Sequence, residues 1–124
     1  MTRPVGYEFD ECATWTERGR TVLVATDGSL SSVDPKTGEV EQLPFERQAE
    51  LVMEQMKICL EAAGSSLTRV IKCNVYCTPD PSHYGRFNAI YDRYFTTESP
   101  ARIFLHVPSH SGPFDIEIDC VATV

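Results

Sequence analysis

The sequence predicts an α+β fold, a single mixed sheet with two helices packed on one face. Two segments carry apolar residues at helical spacing, several short segments alternate apolar and polar residues, and the 124 residues leave room for one core. Residues 1–124 are therefore read as a single domain. Eighteen acids against eleven bases give a net charge of −7, which repels a phosphate backbone and argues against a nucleic-acid partner. No apolar run approaches the roughly 18 to 20 residues that span a bilayer, and Met1 to Phe9 lacks the basic and apolar regions of a secretory leader. The expectation is a cytoplasmic protein with no membrane partner.

Arg20 to Thr26 is rich in β-branched residues and reads as a strand, with Tyr7 to Thr14 as its hairpin partner across the charged turn Thr16 to Gly19. Asp34-Pro35-Lys36-Thr37-Gly38 reads as a turn leading to a short strand near Glu39 to Gln42. From Phe45 to Ala63, Ala49, Val52, Met53, Met56, Cys59, Leu60 and Ala63 form one helical stripe. Glu46, Arg47, Glu50, Glu54, Lys57 and Glu61 lie opposite, and Gly64 is placed for a left-handed cap.

Arg69 to Cys77 alternates as a strand. Asp80 and Pro81 then open a second helix, in which Tyr84, Phe87, Tyr91 and Tyr94 or Phe95 recur at core spacing up to about Thr96. Ala101 to Val107 and Phe114 to Val124 flank the turn-forming cluster Pro108 to Pro113 and read as an antiparallel hairpin. Ile71, Val75, Ile103, Leu105, Phe114, Ile116 and Ile118 would lie beneath the helices. The other face, with Tyr76 and Val121 beside charged residues, would meet a partner subunit.

The five cysteines are odd in number and scattered, so reduced thiols are expected. A zinc site from Cys73, Cys77 and His83 lacks a C-x2-C pair and yields to buried small hydrophobes. In the expected hairpin, a turn at Ser109-His110 would set Arg102 opposite Glu117 on one sheet face, beside Asp115 and Asp119. The bland reading is a cross-strand ion pair; the functional one is a ligand site in a cleft between subunits. His106 falls on the face of Arg102 but roughly 13 Å along the strand, at about 3.3 Å per residue. His110, in the turn, is expected in solvent.

Asp34 to Val40, Leu60 to Gly64, Phe87 to Tyr91, Pro100-Ala101-Arg102 and Ile116-Glu117-Ile118 occur in the order and spacing of the RidA/YjgF family of enamine/imine deaminases, which the chain resembles from about Arg20 onward. The resemblance implies a chorismate-mutase-like subunit, a homotrimer with ligand sites between neighbours, and neither metal nor organic cofactor. It implies that Arg102 binds the carboxylate of a small-molecule substrate and that Glu117 positions water and handles protons, with Gly28 and Asn88 lining the site. Phe104 stands where many members have cysteine, and Cys12-Ala13-Thr14-Trp15 where many have Gly-Pro-Tyr. Phe104 would then narrow the site or offer it an apolar wall.

The activity implied is hydrolysis of a reactive 2-imino acid or its enamine tautomer to a 2-oxo acid and ammonia. Two other readings remain: a trimeric binding module holding a carboxylated metabolite without turnover, and a ribonuclease, which the acidic balance opposes.

Overall fold

The computed structural model describes residues 12–17, 21–27, 43–110 and 112–124, with side chains described from Thr21 onward except Asp27. The order is β1 (Cys12–Glu17), β2 (Thr21–Asp27), α1 (Phe45–Ala62), a 3-10 turn (Leu67–Arg69), β3 (Val70–Cys77), α2 (Ser82–Tyr94), β4 (Ala101–His106) and β5 (Ile116–Thr123). The five strands form one mixed sheet in the order β1-β2-β5-β3-β4. The turn at Asp34 to Gly38, the strand near Glu39 and Gly28 lie outside the described residues.

α1 forms where the apolar stripe requires it. Val52, Met53, Met56, Cys59 and Leu60 are fully buried, each large side chain contributing about 1.5 to 3 kcal/mol by leaving water. Gly64 adopts φ +85°, the left-handed conformation that ends the helix cheaply only for glycine. Gln48 and Gln55, polar residues outside the apolar stripe, are nonetheless buried. Asp80 opens α2, its Oδ1 accepting the Ser82 backbone N–H at 2.8 Å, and that bond holds its carboxyl below the usual aspartate range.

The last two strands depart from the expected hairpin. β4 pairs with β3 in parallel, as a strand reached through a crossover helix does, while β5 lies between β2 and β3, antiparallel to both. The Pro108 to Pro113 cluster is thus part of a connection over the end of β3. Val107 N–H donates to the Cys77 carbonyl at 2.8 Å, and Thr78 N–H to the Asp115 carbonyl at 2.9 Å.

This topology reverses the facing of β4. Val75 pairs with Phe104 and Cys73 with Arg102, so Arg102, Phe104 and His106 face the helices, while Ile103 and Leu105 lie on the open face, 43% and 49% exposed. Ile71, at an irregularity in the β3–β5 register, is also exposed. Val75, Ile116 and Ile118 are buried in the core as expected, whereas Phe114 is buried outside that cluster, against His110.

The expectation of reduced cysteines holds for Cys73, Cys77 and Cys120, all buried and free, and is corrected at Cys59, which is disulfide-bonded. Among the described residues no helix is long and apolar enough to cross a membrane.

Candidate functional site

Arg102 stands on the edge strand β4 and is half-buried against α2. Its guanidinium carbon lies 4.7 Å from the Tyr91 ring centre, 5.8 Å from Tyr84 and 5.7 Å from Phe104. Facing aromatic rings hold a guanidinium by its flat side and leave the edge N–H groups for a planar anion. Among the described residues no carboxylate forms an ion pair with Arg102.

Beside it opens a pocket of about 290 Å³ lined by Asn88, Tyr91, Asp92, Ser99, Pro100 and Arg102. The buried Asn88 Oδ1 has no hydrogen-bond partner, an acceptor awaiting a donor. Burial, with the Cys73 thiol beside it, pushes the Tyr91 phenol up, so the ring under the guanidinium stays neutral. The structure therefore brings together Arg102, Asn88 and Phe104. The aromatics of α2 serve two ends, since Phe87 and Tyr91, with Phe95 just past the helix, are core while Tyr84 is 52% exposed beside Arg102.

Glu117 does not join them. It pairs with Tyr76 on the open face of the sheet, whereas Arg102 pairs with Cys73 on the helix face. Two strand spacings and three residues along the strand separate the two Cα atoms by roughly 14 Å, at about 4.8 and 3.3 Å each. The expected same-face placement is thus corrected: it assumed that β4 and β5 are neighbours, and β3 lies between them.

Glu117 lines a second pocket, about 470 Å³, with Tyr76, Val107, Ser109, His110 and Asp119. Asn74 donates to Asp119 at 2.8 Å, and burial followed by the Asp119 charge pushes the Tyr76 phenol up. His110, expected in solvent, has a side chain only 5% exposed, with Nδ1 3.6 Å from Glu117 Oε2. The periodicity of the strands carries no signal for His110, because a loop places it. His106 does share the face of Arg102 and meets Phe104 edge-on at 5.6 Å.

Cys73 and Cys77 both point into the core, and His83 stacks on Phe45 with its Nδ1 2.9 Å from the Thr78 carbonyl oxygen. Burial raises the Cys77 thiol to about 12. Cys73 interacts with Cys120, its partner in the β3–β5 register.

A five-stranded mixed sheet covered on one face by two helices, with an arginine at its edge strand, defines an α+β protein with a candidate site at that edge. A family model described as Endoribonuclease L-PSP matches residues 13–124. The chain belongs to this family, the RidA/YjgF group.

Among curated relatives, a RutC family protein of Pyrococcus horikoshii is 39% identical over 90 residues, 73% of this chain and 71% of its own. The 2-iminobutanoate/2-iminopropanoate deaminase of Salmonella typhimurium is 33% identical over 103 residues, 81% of this chain and 78% of its own. The crystal structure of a putative endoribonuclease from Thermotoga maritima superposes with a TM-score of 0.72 at 32% identity, covering 100% of this chain and 98% of that one. The crystal structure of RidA from an Antarctic Psychrobacter gives 0.75 at 30%, covering 90% and 85%.

Proposed function

We propose that this protein hydrolyses a reactive 2-imino acid, or its enamine tautomer, to a 2-oxo acid and ammonia, with Arg102 holding the substrate carboxylate. The observation that carries the reading is the Arg102 guanidinium, stacked on Tyr91 and unpaired by any carboxylate among the described residues, beside the unpartnered Asn88 Oδ1. Asn88 Oδ1 is then an acceptor for the imine or enamine N–H. The similarity to the Salmonella deaminase supports the same class of substrate.

Within one protomer Glu117 is too far from Arg102 to share a small acid with it. The reading therefore takes Glu117 from a neighbouring protomer of a homotrimer, across an inter-subunit cleft. Leu23, Ile103 and Leu105, all more than 40% exposed on the open sheet face, support a covering subunit. Fixing both the acid and its attacking water replaces a bimolecular encounter by an oriented one. No metal or organic cofactor enters this chemistry. The cytoplasm, where amino-acid oxidation and elimination generate such imines, is the proposed location.

The separation of Arg102 from Glu117 also favours one alternative, a trimeric binding module that holds a carboxylated metabolite without turnover. Ammonia release from an imine generated by an amino-acid oxidase separates the two. The deaminase accelerates release, Arg102→Ala returns it to background, and Glu117→Gln lowers it while sparing carboxylate binding. Acceleration that survives Arg102→Ala would refute the assigned anchor, and carboxylate binding without any acceleration would establish the module. The −7 charge disfavours RNA as the substrate despite the family's description.

A further inference from the structure

The connection from β4 to β5 crosses the end of β3 and carries His110 onto the open sheet face, where its ring stacks on Phe114 at 4.8 Å. Its Nε2 lies 3.2 Å from the Tyr76 carbonyl oxygen and its Nδ1 3.6 Å from Glu117 Oε2. A carbonyl oxygen only accepts, so Nε2 carries a hydrogen. A carboxylate oxygen also only accepts. At 3.6 Å the two atoms make a charge contact rather than a hydrogen bond: a bare Nδ1 would repel the carboxylate, and an Nδ1–H would attract it.

The geometry points to His110 as a positioning residue beside Glu117, close enough to pass a proton to and from that carboxylate during imine hydrolysis. The inference rests on the reading of Glu117 as the group that handles protons. The surroundings favour Glu117 over the other groups in the pocket. Asp119 is engaged by Asn74, and the Tyr76 phenol is pushed up and stays neutral. Glu117 itself is 46% exposed and free to meet a substrate, while His110 is held from three sides.

The proton count closes. The pair gives its proton to the imine nitrogen. Water then adds to the carbon, the C=N π electrons move to nitrogen, and the water's proton goes to Glu117, leaving a carbinolamine. The reloaded pair protonates the amino group, the C–N bond breaks as the hydroxyl oxygen forms C=O, and the hydroxyl proton returns to the pair. Imine and water have become oxo acid and ammonia, and the pair is unchanged.

His110→Gln keeps an N–H for the Tyr76 carbonyl but cannot pass a proton to Glu117. Ammonia release by this variant should show kcat lowered about tenfold or more, part of the roughly hundredfold or greater help that acid–base catalysis gives, with KM unchanged. Wild-type kcat in an otherwise active His110→Gln protein overturns the inference.

A second measurement does not depend on turnover. Ring-nitrogen NMR of the wild-type protein should show His110 with Nε2 protonated and an Nδ1 resonance that moves when Glu117 becomes Gln. A bare Nε2, or an Nδ1 indifferent to Glu117→Gln, overturns the pair. If wild-type protein releases no ammonia above background, the deaminase reading fails, and these resonances still decide whether His110 and Glu117 interact.

Discussion

The Arg102 guanidinium carbon lies 4.7 Å from the Tyr91 ring centre, so a cation at the sheet edge rests over a core residue of α2. A planar cation suits the ring face better than a compact ammonium does. Arg102→Lys preserves the charge but loses both the stacking and the two-pronged edge. The variant should keep its thermal midpoint within a few degrees while KM for the imino acid rises about tenfold or more, the cost of one lost charge-assisted hydrogen bond. Steady-state ammonia release measures this.

Gln48 joins the start of α1 to the chain entering β5. It donates to the Leu43 carbonyl at 2.8 Å and to Asp115 Oδ2 at 3.2 Å, and it accepts the Asp115 backbone N–H at 2.7 Å. Gln48→Ala strands buried polar groups and should cost about 2 to 3 kcal/mol. Urea denaturation should show a lower midpoint with an unchanged slope.

Glu46 on α1 takes two hydrogen bonds from Arg86 on α2, at 2.5 and 2.7 Å. The Arg86 bond lowers its carboxyl from the ordinary 4.5 to about 2. A depressed carboxylate contributes stability that is fully present above its unfolded value and is lost as pH falls toward its folded one. The denaturation midpoints of wild type and Glu46→Gln should therefore differ at pH 7 and converge between about pH 4.5 and 2. The pair is exposed, so the difference should be small and should shrink with added salt.

Gly85 lies inside α2, and a Cβ built there meets nothing within 4 Å. Gly85→Ala should stabilise the protein by about 0.5 to 1 kcal/mol, because alanine loses less backbone entropy in a helix. A higher urea midpoint would show it.

Both helices were legible in the sequence, because 3.6-residue periodicity is a local property that survives any tertiary arrangement. The left-handed Gly64 and the capping role of Asp80 were legible for the same reason. Within β4, strict alternation grouped Arg102 with Phe104 and His106 on one face, as observed. Cys59 shows the limit, since sequence carries no distance between a thiol and its eventual partner.

Strand alternation fixes which residues share a face but not which face meets the helices. Ala101 to Val107 alternates Ile103, Leu105 and Val107 with Arg102, Phe104 and His106, and apolarity favoured burying the first set. Parallel pairing with β3 turned the second set to the helix side instead, because Cys73 and Val75 direct their register partners Arg102 and Phe104 toward α2. The sequence alone determined the elements and the chemical groups available to a site. Tertiary structure decided that β5 enters between β2 and β3, which separates Arg102 from Glu117 and lets a loop deliver His110 to that carboxylate; strand order depends on long-range pairing that no local pattern encodes.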